Sequence, residues 1–443
     1  MIDRKPAPQT ALVLSPQHPG TDVNRAQARL EEAVGLAQAL DLVTAEARVE
    51  PLRRVEASGF FGTGKIEQLA ELVKDAEISV VIIDAALSPI QQRNLEKKLQ
   101  AKVIDRTGLI LEIFGLRAQT REGRLQVELA RLAYERSRLV RTWTHLERQR
   151  GGRGFLAGPG ETQIETDRRI LADKMARLRR ELEEVKRTRT LHRKKRQTAP
   201  WPTVALVGYT NAGKSTLFNL LSDAQVLAKD MPFATLDPTV RGVKLPSGRR
   251  VLMSDTVGFI TDLPTELIAA FRATLEEVIE ADVLIHVRDM ADPDHEGRKA
   301  DVESVLEALG AGVEAGQHVI EAWNKADQLS TDDYEELVWR AKLPKRENSP
   351  VSIVTSAVTG AGVDALLDQV ELALSVDDVA LHLEFGPADA EALAFVHRHG
   401  AIVSETTNSE TGVVSVHVRL SEADAGRFNQ RYVVGEEADS VPG

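Results

Sequence analysis

The sequence carries Gly208-Tyr-Thr-Asn-Ala-Gly-Lys-Ser215 directly after an apolar run, Thr203–Val207, and directly before a helical pattern, Thr216–Leu221. A strand, a turn with the spacing G-x-x-x-x-G-K-[ST] and a helix, in that order, are typical of a phosphate-binding loop. The glycines let backbone N–H groups surround an anion, Lys214 adds a positive charge, and Ser215 offers an oxygen ligand for magnesium. The alternative is an ordinary glycine turn, which does not account for the flanking strand and helix.

Two later stretches indicate which nucleotide the loop would hold. Asp255-Thr-Val-Gly258 follows the apolar run Val251–Ser254, where a carboxylate can hold magnesium through water and a glycine N–H can reach a γ-phosphate. Asn324-Lys-Ala-Asp327 ends the run His318–Trp323, and its last carboxylate can accept from the ring N–H and exocyclic amine of guanine, a donor pair that adenine lacks. Each stretch alone also fits a plain strand-end loop. In chain order, with another strand end at Ser352–Ala357, they predict a guanine nucleotide site.

Composition and length limit the classes of protein to which the chain can belong. It has 443 residues, 56 Lys and Arg against 67 Asp and Glu, a net charge of −11 and no cysteine. The length fits about three compact domains, and the lack of cysteine excludes disulfides, thiolate nucleophiles and thiolate-bound zinc. No apolar run reaches the roughly 18 to 20 residues of a membrane span, and the N-terminal residues lack a signal-peptide pattern. We therefore expect a cytoplasmic protein with no membrane span.

The order of patterns along the chain predicts an α/β fold. Apolar runs alternate with helical patterns in the first hundred residues, which indicates a small α/β domain with a mostly parallel sheet. We expect next a long antiparallel helical hairpin, then a phosphate-loop domain with a mostly parallel sheet, and last a small α+β domain. The expected boundaries are 1–115, 116–199, 200–374 and 375–434, with a disordered tail at 435–443.

Local patterns set out the elements of the two terminal domains. In the N-terminal domain we expect the strands Ala11–Ser15, Val43–Val49, Ile78–Asp84 and Val103–Asp105 and the helices Val23–Leu42, Lys65–Ala76 and Pro89–Leu99. In the C-terminal domain we expect the strands Leu381–Phe385, Ala401–Thr406 and Gly412–Arg419 and the helix Ala388–His397.

Two apolar stripes predict the hairpin. The first advances in steps of four and three from Leu125 to Leu146, and the second keeps the same register from Ile164 to Val185. The segment between them, Arg150–Gly160, contains five glycines and cannot be helical throughout. Residues 131–200 hold 20 Lys and Arg against 9 Asp and Glu, a net charge of +11. Such charge is often a solvated face, but next to a thin glycine-rich loop it also suits RNA phosphates and splayed bases.

Several blocks resemble the translation-factor-related GTPases. Phe233-Ala-Thr-Leu-Asp-Pro-Thr239 looks like the first switch of the Obg/HflX branch. Three further blocks are similar to HflX-type GTPases in particular, and these are Asp105-Arg-Thr-Gly108, Thr120-Arg-Glu-Gly-Arg-Leu-Gln-Val-Glu-Leu129 and Gly158-Pro-Gly-Glu-Thr-Gln163. The resemblance covers about residues 10–374 and is vaguer over the last seventy residues.

The resemblance implies a magnesium-dependent GTPase that binds the large (50S) ribosomal subunit and its rRNA and splits stalled or idle 70S ribosomes, with hydrolysis allowing release. The alternative is a GTP-switched docking or assembly factor on a large-subunit precursor. A monomer is expected, with a dimer as the alternative. By position, the resemblance implies catalytic roles for Lys214, Thr235, Asp255 and Gly258 and magnesium ligands at Ser215 and Thr235. The implied nucleotide contacts are Gly208, Tyr209, Thr210, Asn211, Ala212, Gly213, Lys214, Ser215, Thr216, Phe233, Ala234, Thr235, Leu236, Asp237, Asp255, Thr256, Val257, Gly258, Asn324, Lys325, Asp327, Ser356, Ala357 and Val358.

Three positions leave alternatives open. Phe259 stands where Ras-like GTPases use a glutamine to orient the attacking water, so we expect slow intrinsic turnover, whether the ring faces the site or packs in the core. Asn211 resembles a potassium-coordinating asparagine, but a loop-structuring role is the alternative, and equal turnover in Na⁺ and K⁺ would exclude the first. The stretch Gly59-Phe-Phe-Gly-Thr-Gly-Lys65 also fits a phosphate loop, yet Ile66 replaces the hydroxyl. It is either a second nucleotide site or a turn before a helix.

Overall fold

The computed structural model describes residues 9–20, 22–149, 159–196, 201–222, 232–233, 235–236, 238–261, 275–344, 349–376, 378–409 and 411–432. Two compact units make up the chain. The first contains Met1–Thr190, Lys229–Asp237 and Ile260–Ala273, and the second contains Leu191–Ala228, Pro238–Phe259 and Thr274–Gly443. Within the described ranges, no helix is both long and apolar enough to cross a bilayer.

The first unit contains a four-stranded parallel sheet with the strand order β2-β1-β3-β4. Its strands are β1 (Thr10–Gln17), β2 (Val43–Pro51), β3 (Val80–Ile83) and β4 (Lys102–Asp105). The helices between and after them are α1 (Val23–Gln38), α2 (Thr63–Asp75), α3 (Pro89–Leu99) and α4 (Arg106–Arg117). β3 is buried along its whole length, as expected for a strand that is covered on both faces of a parallel sheet.

Two long helices, α5 (Arg121–Gln149) and α6 (Pro159–Arg196), follow in the positions of the two predicted stripes. They share a small apolar core built from Leu125 and Leu132 on the first helix and from Met175, Leu178 and Leu182 on the second. Period-four and period-three spacing therefore buries the face that the sequence predicts. The glycine-rich residues 150–158 lie outside the described residues, as do the predicted linker residues 197–200.

A six-stranded sheet organises the second unit, with the order β10-β9-β8-β5-β7-β6. Its strands are β5 (Thr203–Val207), β6 (Thr239–Lys244), β7 (Arg250–Asp255), β8 (Val283–Asp289), β9 (His318–Asn324) and β10 (Val351–Val354). β6 runs antiparallel to β7, and the other neighbours are parallel. The helices are α7 (Lys214–Ser222), α8 (His295–Leu309), α9 (Thr331–Lys342) and α10 (Val363–Leu374). The chain leaves β5 first toward one side of the sheet and later toward the other, so a ligand crevice is expected at the carboxyl end of β5.

The chain continues into a three-stranded antiparallel sheet with the order β11-β13-β12. Its elements are β11 (Asp378–Phe385), α11 (Ala390–His399), β12 (Ala401–Thr407), β13 (Val414–Ser421) and α12 (Glu422–Arg431). A buried ion pair fastens this sheet to the β6–β7 turn, since Arg249 Nη1 lies 2.8 Å from Asp378 Oδ2. The backbone N–H of Ser247 in the same turn donates to Glu371 Oε2 at 3.2 Å.

The structure corrects several expected bounds. The helix after the phosphate loop begins at Lys214 rather than Thr216, which places Lys214 and Ser215 in its first turn. β10 ends at Val354, so Ser356 and Ala357 lie in the loop after the strand. The C-terminal helix α12 has no counterpart among the expected elements, because Phe428 and Ala425 are its described buried apolar residues and give a weak period. The predicted disordered tail lies outside the described residues.

Lys65 is held inside the first unit. Its Nζ lies 2.8 Å from Glu50 Oε2, a buried carboxylate. Ile66 packs in the apolar core of the N-terminal sheet. The stretch before α2 therefore forms the turn that precedes a helix, which favours that alternative over a second nucleotide site.

Candidate nucleotide-binding site

Two glycines of the phosphate loop stand where no side chain would fit. Gly208 has a φ of +148°, and a Cβ built there would lie 2.3 Å from the Val287 carbonyl oxygen. Gly213 has a φ of +93°, and its Cβ would lie 2.2 Å from Asn324 Nδ2. Real Cβ atoms do not approach that closely, so both positions require glycine. The loop is thus pressed against the ends of β8 and β9.

Asn211, between those glycines, adopts a φ of +61°. Asparagine tolerates this left-handed conformation better than other residues with a Cβ. Its side chain is exposed. This backbone conformation is compatible with both roles considered for Asn211, the structuring of the loop and the coordination of potassium.

Lys214 begins α7 and is buried. Its ammonium donates to the Tyr209 carbonyl oxygen at 2.7 Å, across the loop. Burial lowers the pKa of Lys214 to about 8, although the negative charge of Asp255 opposes this shift. Without a ligand, the charged form of Lys214 is therefore unfavourable, and an anion bound at the loop would stabilise it.

Ser215 and Asp255 meet at the carboxyl end of the central strands. The Ser215 hydroxyl donates to Asp255 Oδ2 at 2.7 Å, and Asp255 is fully buried at the end of β7. Next to it, the Thr256 hydroxyl donates to the Leu206 carbonyl oxygen at 2.6 Å and fixes the strand end. A hydroxyl and a carboxylate side by side are the hard oxygen ligands that magnesium prefers, so these residues fit a magnesium ion.

Residues Gly258 and Phe259 are held directly on the phosphate loop. The N–H of Phe259 donates to the Gly208 carbonyl oxygen at 3.1 Å, and the N–H of Thr210 donates to the Phe259 carbonyl oxygen at 2.8 Å. A Cβ at Gly258 would lie 2.9 Å from Thr210 Cα. The Phe259 ring is buried, which agrees with core packing, and its backbone is hydrogen-bonded to the loop.

Asn324 joins the phosphate loop to the loop after β10. Its Nδ2 donates to the Ala212 carbonyl oxygen at 2.9 Å, and its Oδ1 accepts from the Ala357 N–H at 2.9 Å. Asp327 Oδ1 accepts from the Ser356 hydroxyl at 2.6 Å. Asn324, Asp327, Ser356 and Ala357 are thus brought together as the sequence predicts.

The remaining predicted residues have different surroundings. Lys325 has a φ of +62° and forms an ion pair with Asp289 Oδ2 at 2.7 Å. Val358 is exposed, with 76% of its surface accessible. Phe233, Thr235 and Leu236 are buried residues that belong to the first unit. The predicted contacts Ala234 and Asp237 lie outside the described residues.

Sequence reasoning missed a buried polar cluster behind the site. Glu321 on β9 contacts Arg288 Nη1 at 3.0 Å, Lys299 Nζ at 2.7 Å and Trp323 Nε1 at 2.7 Å. Although burial raises the pKa of Glu321, these cationic and donor groups hold it at about 2. Burial lowers the pKa of the adjacent His286 to about 3, so that imidazole is neutral. The signal was available, because a glutamate interrupts an apolar strand pattern at residues 318–323.

A cation also lies against the aromatic ring of Tyr209 in the phosphate loop. Arg298 Cζ lies 4.7 Å from the centre of the Tyr209 ring and its guanidinium is 2.6 Å from Asp292 Oδ2. A cation over an aromatic face is attracted by the negative charge of the ring face. No local sequence pattern predicts this contact, because the two residues are far apart in the chain.

Four consecutive stretches of the chain match known protein families. Residues 27–115, 117–196 and 203–325 match, in turn, the families described as GTP-binding GTPase N-terminal, GTP-binding GTPase Middle Region and 50S ribosome-binding GTPase. Residues 341–440 match the HflX C-terminal domain. A GTPase HflX of Magnetococcus marinus is 46% identical over 430 residues, which is 97% of this chain and 96% of that protein. The chain belongs to the HflX family of GTPases.

One further HflX relative and one solved structure are similar to most of the chain. GTPase HflX of Escherichia coli strain K12 is 44% identical over 402 residues, covering 88% of this chain and 91% of that protein. The crystal structure of SsGBP in complex with GDP is 25% identical and covers 83% of this chain and 98% of that one, with a TM-score of 0.47. Family membership and the phosphate-loop domain make this HflX-family protein a GTPase.

Proposed function

We propose that this HflX-family GTPase binds the 50S ribosomal subunit in the cytoplasm and splits stalled or idle 70S ribosomes, and that GTP hydrolysis allows its release. The observation that carries the proposal is the match of residues 203–325 to a 50S ribosome-binding GTPase. The net charge of +11 over residues 131–200 supports it, since basic segments bind rRNA phosphates. GTP bound in the site would favour the hairpin arrangement that binds the large subunit and excludes an intact 70S interface.

The site residues act mainly by positioning and by charge, as phosphoryl transfer requires. The loop Gly208–Ser215 would hold the phosphates with its backbone N–H groups and with Lys214. Ser215 would hold magnesium, with Asp255 acting through water and Thr235 as the second ligand proposed from its place in the first switch. When bound, the metal would neutralise part of the negative charge of the phosphates. Gly258 offers its N–H to the γ-phosphate.

The proposal also covers recognition of the base, positioning of the attacking water and the oligomeric state. Asp327 would accept from guanine while Ser356 holds its carboxylate in place. Since the Phe259 ring is buried, water would be positioned by backbone groups, by a potassium ion at Asn211, or by the ribosomal partner. Intrinsic hydrolysis should therefore be slow and 50S subunits should accelerate it. The protein is proposed to act as a monomer.

Nucleotide affinity should fall as pH rises through 8. Lys214 has a pKa of about 8 without nucleotide, and the phosphate charge favours its protonated form, so binding takes up a proton above that pH. A group with that pKa goes from about nine-tenths to about one-tenth protonated between pH 7 and 9, which predicts an affinity loss of about tenfold. Titration calorimetry with GDP measures it. In Lys214→Arg, whose guanidinium stays charged, the step should vanish, and its persistence would assign it to another group.

Removing the hairpin loop tests the splitting activity itself. Deletion of Gly151–Ala157 should abolish the GTP-dependent fall in light scattering of purified 70S ribosomes, because the cationic loop can no longer enter RNA. GTP affinity should stay unchanged, since the phosphate loop is elsewhere in the chain. Deletion of the seven residues 437–443 is the matched control and should split ribosomes like the full chain. Should the full chain bind 50S subunits without lowering the scattering, the docking or assembly alternative would hold instead.

A further inference from the structure

Arg106, the first residue of α4, is buried at the carboxyl edge of the N-terminal sheet. Its guanidinium contacts the carboxylates of Asp84, which follows β3, and of Glu32 on α1. It also donates to the Thr261 carbonyl oxygen, from Nε at 3.2 Å and from Nη2 at 2.9 Å. Thr261 belongs to the same compact unit and follows Gly258 by three residues in the chain. Arg106 thus holds the backbone that directly continues the second switch.

The preceding residue, Asp105, faces the hairpin. Its Oδ1 accepts from the Tyr134 hydroxyl at 2.5 Å, and its Oδ2 accepts from Arg138 Nη2 at 2.6 Å. Both donors lie on α5. The same carboxylate caps α4, since the Gly108 N–H donates to Oδ1 at 2.8 Å. Burial and the Asp105 charge raise the pKa of Tyr134, so its hydroxyl remains a donor.

The first switch also contacts α4. The ring centre of Phe233 lies 4.5 Å from that of Phe114 in an edge-on arrangement. Phe233 holds a φ of +54°, which costs energy for a bulky residue and persists only when packing fixes it. A residue of the first switch, the backbone that follows the second switch and the hairpin helix α5 therefore all contact α4 or the residue that caps it, and these contacts lie within one compact unit.

We propose that the Asp105–Arg106 pair couples the second switch to the hairpin. Consecutive residues at a capped helix start cannot move independently, so a displacement of the Thr261 carbonyl shifts Arg106, α4 and then the Tyr134 and Arg138 contacts. A buried charge cluster stabilises a protein less than apolar packing does. A guanidinium that two carboxylates hold in place can, however, form its hydrogen bond to a carbonyl in one backbone arrangement and not in another. Arg106 is a positioning residue in this scheme. The assignment of the hairpin as the ribosome-binding part rests on the proposed function.

Hydrogen exchange of the full chain, bound either to GDP or to a non-hydrolysable GTP analogue, tests the coupling without ribosomes. The unaltered chain should show a nucleotide-dependent change in protection at residues 125–138. Arg106→Lys keeps a positive charge beside Asp84 and Glu32 but offers a single nitrogen donor. In this variant the nucleotide-dependent change in protection at residues 125–138 should be lost. Tyr134→Phe deletes one hydroxyl on the other side of the pair and should weaken the same change. A merely structural role would alter protection equally with both nucleotides.

Arg131→Ala is the matched control, since it removes an exposed α4–α5 ion pair with Glu112 and should keep the nucleotide-dependent change. The coupling is overturned if the unaltered chain shows no nucleotide difference at residues 125–138, or if Arg106→Lys and Tyr134→Phe both retain it in full. Co-sedimentation with 50S subunits separates the two proposals. Lost exchange coupling in the variants together with absent 50S binding by the unaltered chain would support the coupling and refute the ribosomal function.

Discussion

Lys214→Ala should lower kcat/KM for GTP hydrolysis by about 100- to 1,000-fold, the range seen when one charge-stabilising donor is removed from an active site. In the proposed site the ammonium is the side-chain cation of the phosphate loop, and it would develop its strongest contact as charge builds on the transferred phosphoryl group. Steady-state release of phosphate at saturating magnesium measures the effect.

Thermal unfolding distinguishes this loss from misfolding. Burial lowers the pKa of Lys214, so its charge is unfavourable in the nucleotide-free fold below about pH 8, and the alanine variant should unfold at the same temperature or higher. Lys342→Ala on α9, where the lysine is exposed, should keep full activity. Near-normal hydrolysis by Lys214→Ala would place the phosphates elsewhere in the molecule.

Asp327→Asn should reverse the base preference of the site. Guanine presents two donors to the carboxylate, and two hydrogen bonds to a charged acceptor contribute about 3–6 kcal/mol, so GTP affinity should fall on the order of 10³-fold. Xanthine carries a carbonyl in place of the exocyclic amine and can accept from the new amide N–H. Competition between GDP and XDP for a fluorescent nucleotide measures the change.

Asp332→Asn provides the control, because that aspartate is exposed on α9 and should leave the preference for guanine intact. The Ser356 hydroxyl can still donate to the amide oxygen at position 327, so the loop should keep its conformation. An Asp327→Asn protein that still selects GDP over XDP would show that another group reads the base.

Local patterns predicted the parts of the fold in which neighbouring residues determine the structure. The phosphate loop, the strand before it and the helix after it are adjacent in the chain, and the stripes of α5 and α6 repeat at helical spacing. The pairing of Asn324 with Ala212, and of Arg106 with Thr261, links residues more than 100 positions apart. Such contacts depend on how the sheets are assembled, and no local spacing encodes them.

Other differences have local causes. Gly426 and several charged residues dilute the apolar period of α12, so no local pattern predicts this helix. The glycine-rich pattern ends at Lys214 and Ser215 and so places them in the loop, although the helix already begins at Lys214. The sequence alone does not determine whether Phe259 is buried, because its burial depends on packing against residues distant in the chain.

The double hydrogen bond of Asn324 has a consequence for how quickly ligand can enter. The Asn324 amide ties together two loops, the one proposed to bind phosphate and the one proposed to bind the base. Because this link uses protein atoms alone, the spacing between the two loops is set during folding. A nucleotide that binds there need not order these two loops, so binding does not include the entropic cost of ordering them. Preorganisation of this kind favours rapid capture, and residence time then becomes the quantity through which partners control occupancy.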